Sequence, residues 1–520
     1  MKKMLTQNQM ANQTRRRQRG LSWLIAIALC WASWAESSSA EGPIDIGSRR
    51  ELFVDDFLID DMRGTTLQLQ RPVDRGQAFA FDKPWEGEFS GYVTVIKSGD
   101  KYQAYYRGSA GSGSKNTGDH QVLCYAESPD GIVWSKPEFE LFAQGDDKST
   151  NVVLANVSPD THNFSPFVDA RPGVPAAEKY KGVGGYHQTG LRAYASPDGV
   201  HWKALSAKPV LTRQEVGFIE GSEDLVFDSQ NVPFWSEKEN KYLLFYRVYV
   251  DGIRRTARVE SDDFIHWSKP TLMEYRRLGE SAPIEQLYTN QTHPYFRAPH
   301  IFVGTAARFM LGRQVLNAEQ AKAIKVDPKY FHDTSDAVLI TSRGGNVYDR
   351  TFMEALVAPG IGAENWTSRT NYPALNVVQT GPHEMSLYVN QNYGQPTAHL
   401  RRYSLRLDGF AAVHADYVGG EMTTKPLIFA GDELLLNFAT SAAGGILVEI
   451  QGESGKPIPG FASADCLELV GNEIARPVVW KDGKLGALAG QPVRLRFVMK
   501  DADLFAIQFD DGAAAVAESN

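Results

Sequence analysis

Apolar and polar positions alternate with a period of two, in short runs, along most of this 520-residue chain. YVTVIKS (92–98), KYQAYYR (101–107), VPFWSE (232–237) and KYLLFYRV (241–248) all follow this pattern. Such alternation, rich in Tyr, Val and Phe, predicts strands with one face buried. Helical periodicity is confined to LNAEQAKAIKV (316–326), which reads as a short insertion in the fourth unit described below.

One turn is written again and again between these strands. SPDGIVW (128–134), SPDGVHW (196–202) and SDDFIHW (261–267) share Ser-x-Asp-x-x-x-Trp, with weaker copies in SRGGNVY (342–348) and RLDGF (406–410). Ser and Asp side chains bond local backbone, and Gly after the Asp takes a positive φ. Upstream of three copies stands a second recurring element, GDKYQAYYRG (99–108), AEKYKGVGGY (177–186) and ENKYLLFYRV (239–248). Each unit therefore reads strand, hairpin, strand, turn, strand. About four strands in roughly 60 to 80 residues is the size of one propeller blade. Five traces predict an all-β chain with a five-bladed β-propeller over 45–411, in preference to unrelated hairpins in a sandwich. From 412 the strands lose the turn motif, which predicts a C-terminal β-sandwich over 412–512 and a loose tail at 513–520.

The N-terminus has another texture. Arg15, Arg16, Arg17 and Arg19 precede the apolar stretch LSWLIAIALCWASWA (21–35), and small residues stand at Ser38 and Ala40. Residues 1–40 read as a secretory signal peptide, which implies a secreted or periplasmic protein. Leu29 before Cys30 fits a lipoprotein site poorly, so release without membrane anchoring is expected. The formal net charge is −8, and losing the leader removes six basic residues and one acid. So acidic a chain is a poor partner for nucleic acid or an anionic membrane. Cys124 and Cys466, the two cysteines beyond the leader, are far apart in sequence and suggest no disulfide framework.

The signal peptide, the repeated S-x-D-G-x-x-W and the appended β region together resemble glycoside hydrolase family 32. They also resemble the wider superfamily of invertase, levansucrase and arabinanase-like five-bladed propellers. LFVDDFLID (52–60), FDKPWEG (81–87), YAESPDGIVW (125–134), FDSQN (227–231), RAPHIF (297–302), LRLDGF (405–410) and KPIPGF (456–461) are similar to secreted bacterial proteins labelled family-32-like. The Asn-Asp-Pro-Asn-Gly, Arg-Asp-Pro and Glu-Cys motifs of family 32 are absent. What the resemblance implies is therefore the architecture, a carbohydrate substrate and a carboxylate-based site, not a fructan substrate.

In a propeller the start of each blade's innermost strand faces the central axis. Aligning the hairpins puts WEGEFSGY (85–92), THNFS (161–165), FDSQN (227–231), EQLYTNQTHP (285–294) and RTNYP (369–373) there. Glycoside hydrolysis needs one carboxyl as proton donor and a second as nucleophile or base. Asp228 and Glu86 are the expected catalytic pair, with Glu285 and Glu88 in reserve. Asp130, Asp198 and Asp263 belong to the turns. Sugar recognition combines polar side chains with aromatic platforms, a role open to His162, Asn163, Gln230, Asn231, Asn290, His293 and Tyr372. Arg107 and Arg247 end equivalent strands and suit a carboxylate or sulfate on the substrate, or the bracing of blades.

The 11 histidines show no metal-ligand spacing, and no organic cofactor is expected; a structural Ca²⁺ in the channel is not readable. The expected function is a glycosidase working on a poly- or oligosaccharide. Its rivals are a non-catalytic carbohydrate-binding propeller and a polysaccharide lyase acting on a uronate, with His162 or Tyr393 as base. Sugar, linkage and oligomeric state stay open at this stage.

Overall fold

The computed structural model describes residues 42–110, 121–223 and 225–511. The expected signal peptide and the tail at 513–520 lie outside the described residues. Asp45 onward forms one compact unit. It is nearly all β. Its helices are short, among them Ala318–Ala323, which Asn317 caps by accepting from Gln320 N at 2.9 Å. Among the described residues no helix is long and apolar enough to cross a membrane.

Five antiparallel sheets follow one another along the chain. Sheet 1 holds Gly91–Ser98, Lys101–Ser109, Gln121–Ser128 and Val152–Leu154; sheet 2 holds Ser165–Val168, Tyr180–Tyr186, Gly190–Ser196 and Lys203–Ala204. Sheet 3 holds Val232–Ser236, Lys241–Val250, Ile253–Ser261 and Thr271–Leu272. In sheet 4 a broken first strand (Leu287–Thr289, Thr292–Tyr295) pairs with Ala298–Met310, then come Thr334–Ser342 and Val347–Asp349. The earlier Glu274–Arg277 joins its outer edge in parallel. Sheet 5 holds Tyr372–Pro373, Glu384–Gln391 and His399–Arg406, and takes its last strand, Val73–Ala80, from the start of the fold. The first strand of sheet 2 lies between those of sheets 1 and 3, Val232–Ser236 neighbours Thr292–Tyr295, and Tyr372–Pro373 neighbours both Ala298–Met310 and Gly91–Ser98. The arrangement is propeller-like.

The repeated turn is built as its residue types require. Ser196 Oγ accepts from Gly199 N at 2.9 Å, Asp198 Oδ1 accepts from the Val200 and His201 amides at 2.9 Å each, and Gly199 has φ +81°. Trp202 Nε1 closes the turn onto the Gly199 carbonyl at 3.0 Å. The first copy repeats this around Ser128, Asp130 and Gly131. In the third copy Phe264 stands where the others have Gly, at φ +68°. A non-glycine residue there costs about 1 kcal/mol or more. The ring offsets that cost: it is fully buried against Phe167, Tyr242 and Trp267 at centroid distances of 5.6, 5.2 and 5.6 Å.

Eight further strands form one sheet around the long Glu433–Gln451 and Arg494–Asp510, and Ile44–Gly47 pairs with Leu427–Phe429 in a separate two-stranded sheet. One boundary differs from expectation. Residues 51–69, expected within the propeller at 45–411, supply three strands here: Glu51–Leu52 pairs with Arg494–Asp510, Ile59–Arg63 with Gly420–Thr424 and Thr65–Leu69 with Ala411–Ala415. Alternation marks a strand but does not name its distant partner. Asp408 ties this sheet to the rest. Its buried carboxylate takes Tyr295 Oη at 2.8 Å, Arg50 and Asn437 at 3.0 Å, and Arg297 at 3.1 Å. Cys124 and Cys466 are buried free thiols, in sheet 1 and beside the eight-stranded sheet.

The two parts of the third turn are separable. Phe264→Ala is expected to destabilise the fold by about 3–5 kcal/mol, because a large ring leaves a packed site. Asp263→Ala removes the turn bonds from the Ile265 and His266 amides, Ser261 Oγ and His266 Nδ1 and, at this half-exposed position, is expected to cost about 1–2 kcal/mol. Denaturant titration of both variants checks the order; equal losses would mean that the turn, not the ring, holds this corner.

Candidate active site

Each first strand begins with a bend into left-handed backbone. Tyr92 (φ 53°), Asn163 (φ 49°), Phe227 (φ 61°), Gln291 (φ 49°) and Asn371 (φ 66°) all adopt it, one per sheet. Strained backbone of this kind gathers at functional sites, where the surrounding fold over-determines it. Between the sheets the first strands are cross-linked by buried amides. Gln230 donates to Thr94 Oγ1 at 2.7 Å and accepts from Gln291 Nε2 at 2.7 Å, while Gln291 Nε2 also donates to the Pro373 carbonyl at 2.8 Å. This joins sheets 1, 3, 4 and 5.

Asp228 lies among charged and aromatic side chains from neighbouring sheets. Its Oδ2 accepts from Arg247 Nη2 at 2.9 Å, and its Oδ1 is 3.5 Å from His162 Nε2. The Asp228 side chain keeps 34% exposure, whereas Arg247 keeps 3%. The other face of the His162 ring is fixed: Nδ1 shares a hydrogen bond with Gln121 Oε1 at 2.8 Å, and Tyr186 packs edge-on at 4.8 Å. Arg107 donates to Asn163 Oδ1 at 2.9 Å, the Phe89 carbonyl at 2.8 Å and Tyr393 Oη at 3.0 Å, under the Tyr92 ring. Tyr288 and Tyr372 stack at 5.1 Å. These groups are closely packed; the cavity between Gly91, Tyr92, Arg369, Tyr372, Asn390 and Tyr393 holds only about 10 Å³.

Burial alone would raise the Asp228 pKa, but His162, Arg247 and Arg369 outweigh it and hold the carboxyl well below the usual range. Burial pushes His162 down, against the pull of Asp228. Glu88 goes the other way: partial burial, with the Asp327 carboxylate adding to it, raises its pKa. The Glu88 carbonyl accepts from Gly394 N at 2.8 Å, next to Tyr393. The adjacent Phe89 packs on Tyr393 and Tyr330.

The expected site residues divide. Asp228, His162, Asn163, Arg107, Arg247 and Tyr372 come together. Glu86 does not join them. It is fully buried in sheet 1's own polar cluster, accepting from Tyr106 Oη at 2.6 Å, Lys136 Nζ at 2.7 Å and Lys83 N at 3.0 Å. Glu285 is held by Arg308 at 2.9 Å and Arg350 at 2.7 Å. Gln230 belongs to the amide cross-link, and Asn231 folds back on the Phe227 and Ser229 carbonyls at 3.2 Å each. Asn290 Oδ1 caps Thr292 N at 3.0 Å. His293 lines a separate, mostly apolar cavity of about 460 Å³. Both its nitrogens meet backbone, the Gln291 carbonyl at 2.9 Å and the Val377 amide at 3.1 Å. That cavity is roomier than the one beside Tyr92 and Arg369, and its lining carries fewer charged groups than surround Asp228. Among the described residues no group of three or more His, Cys, Asp or Glu is gathered for a metal ion.

Tyr288, Arg369 and Arg254 were not singled out from sequence. Tyr288 and Arg369 stand inside EQLYTNQTHP and RTNYP, a few residues from the side chains chosen there. Arg254 opens the strand after Arg247 and faces its register partner Tyr249.

No family model and no curated protein matches the chain. Solved structures do. One described as a glycoside hydrolase has TM-score 0.43 and 11% identity, covering 65% of this chain and 92% of its own. An N-acetylgalactosamine deacetylase from F. plautii, bound to blood group B trisaccharide, has TM-score 0.38 and 14% identity, covering 66% and 96%. An exo-β-1,3-galactanase from Phanerochaete chrysosporium, with β-1,3-galactotriose, has TM-score 0.35 and 9% identity, covering 84% and 100%. With every score below 0.5, the functional reading rests on the side chains themselves.

The placement of Glu86 makes a prediction. Glu86→Gln takes from Lys136, 11% exposed, the buried one of its two carboxylates and leaves it Asp82 at 2.8 Å, so it is expected to cost about 2 kcal/mol. Ligand binding by the folded fraction is expected to stay unchanged. Denaturant titration beside a binding isotherm checks this, and a stable variant that no longer binds would return Glu86 to the site.

Proposed function

We propose that this chain is an exported glycosidase that cleaves a poly- or oligosaccharide by two-carboxylate acid/base catalysis. In this reading the five sheets are the blades of one propeller, and the eight-stranded sheet curls into a C-terminal sandwich. One observation carries the reading: an ionised, part-exposed carboxylate, Asp228, sits among aromatic rings where the first strands of the sheets begin. Tyr92 and Tyr186, both part-exposed, offer faces for the apolar side of a sugar ring, and the exposed edge of Asp228 accepts from a hydroxyl, with Asn163 and His162 bracing the wall behind it.

Because Glu86 is buried beside Lys136, this reading assigns the second carboxyl to Glu88. Two carboxyls whose surroundings drive their pKa values apart divide the work between acid and base. Glu88, raised, delivers its proton to the glycosidic oxygen as the bond to the anomeric carbon breaks. Asp228, lowered, either attacks that carbon or takes the proton of the water that does. Arg247 and His162 hold Asp228 in place.

Purified protein incubated with a glycan panel is expected to release new reducing ends. Asp228→Asn and Glu88→Gln are each expected to lower the rate by about 10²–10⁴-fold. The pH profile follows from the signs. The base is lost only as pH falls below the ordinary carboxylate range, and the acid is lost as pH rises through the raised Glu88 pKa. Removing Glu88 is therefore expected to erase the alkaline limb. Full activity in Asp228→Asn would defeat the proposal.

A further inference from the structure

Most buried arginines in this fold come with acids. Arg343 is held by Glu51 and Asp55, Arg308 by Asp336 and Glu285, Arg350 by Glu285, Arg258 by Glu239 and Arg402 by Glu384. The candidate site breaks this pattern. Around the single Tyr288 ring stand Arg247, Arg254 and Arg369, with guanidinium carbons 4.6, 4.8 and 5.4 Å from its centroid. Among the described residues their one acidic hydrogen-bond partner is Asp228, which Arg247 uses through Nη2. Arg254 Nη1 has only the Gln286 side chain, at 3.0 Å, and Arg369 Nη1 only Tyr330 Oη, at 3.3 Å. Arg247 Nε and Nη1 and Arg254 Nε are buried with no partner at all.

Three guanidiniums with one carboxylate leave two positive charges over. A buried cation without a counter-charge is costly, and so are buried donors without acceptors. Aromatic faces compensate only in part. In an acidic chain, this local excess is complementary to an anion from outside.

We propose that Arg247, Arg254 and Arg369 form an anion subsite around Tyr288, beside Asp228. The sugar bound there carries a negative group, a carboxylate as in a uronate or a sulfate ester. The inference deepens the carbohydrate reading of this site and rests on it. The shared chemistry is a compact oxyanion drawn by the uncompensated guanidinium charge to the surface over these rings. Arg107, whose Nη atoms are bound to Asn163, the Phe89 carbonyl and Tyr393, positions the neighbouring wall rather than the anion.

The test is calorimetric binding to the full chain. The probes share one backbone: an oligogalacturonide, its carboxyl-reduced galacto-oligosaccharide and a sulfated galacto-oligosaccharide, with free sulfate as a fourth. The charged glycans are expected to bind at least tenfold tighter than the neutral one, a preference that shrinks in high salt. Whichever charged probe binds more tightly distinguishes uronate from sulfate ester. Arg369→Gln is expected to lower the affinity for the charged probes at least tenfold more than that for the neutral one, and Arg369→Lys to restore part of the difference. Arg254→Gln serves as the second variant should Arg369→Gln fail to fold by circular dichroism. Equal affinity for neutral and charged probes overturns the proposal, as does failure of every charged probe to bind. Tight charged binding without release of reducing ends keeps the subsite and removes the hydrolase reading. Cleavage of neutral glycans without any charge preference does the reverse.

Discussion

The whole arrangement depends on one pairing across the length of the chain. Val73–Ala80 hydrogen-bonds to His399–Arg406 and becomes the outer strand of the last sheet. On the inner side, Leu375 bonds Val93 and Val95 through backbone, joining sheet 5 to sheet 1. Without these links sheets 1 and 5 would each present an open edge. The starts of the first strands would also have no reason to face one another. The loop closed by this pairing spans some 300 residues, yet closure entropy grows only logarithmically with length. Local hairpins can form first, and the closing strand fixes their common centre.

At that centre two constraints are met together. Left-handed residues at the start of each first strand turn the chain inward, at a conformational cost. The amide cross-link of Gln230, Gln291 and Thr94 satisfies polar groups that no water reaches. Below the bends the interior is conventional packing, as with Val95 and Phe79 in one cluster and Phe234 and Phe302 in another. The site is thus polar where strand ends meet and apolar everywhere the strands run, which is what a rigid scaffold for surface chemistry requires.

Local features were the legible part of the sequence. The Ser-x-Asp turn and the Lys-Tyr hairpins show up in structure as the same hydrogen bonds at 128, 196 and 261, because their chemistry lies within seven residues. The sequence feature that singled out Asp228 is local in the same way: it is the second residue of FDSQN, just before an apolar strand, and the structure leaves it part-exposed beside Arg247. Longer-range facts were not. Residues 51–69 read as strands, but nothing local says that their partners lie beyond 410. Glu86 illustrates the finer failure. Aligning hairpins placed it at the start of a first strand, yet a turn at 83–86 folds it back on Lys83 and buries it beside Lys136, five positions before the strand begins. Tyr288 and Arg369 were missed by similarly small offsets. The broken first strand of sheet 4 and the left-handed Arg369 shift the register that a regular strand would keep.

Charge explains why the centre is more than a structural knot. Elsewhere most buried arginines are paired at close range, Arg255 with only the Met273 carbonyl being an exception, and Asp408 shows how far the pairing goes, with one carboxylate serving Arg50, Arg297, Tyr295 and Asn437. Replacing such pairs with apolar residues would often be neutral for stability, so their presence alone argues little. Unpaired arginines argue more, because a fold gains nothing by burying a donor that has no acceptor. Arg247 spends one nitrogen on Asp228, holding that carboxylate ionised, and leaves two nitrogens unspent. The same residue therefore serves two ends, fixing the protonation state of the candidate nucleophile or base and extending positive potential toward whatever lies beside it. A purely structural arginine would need only the first.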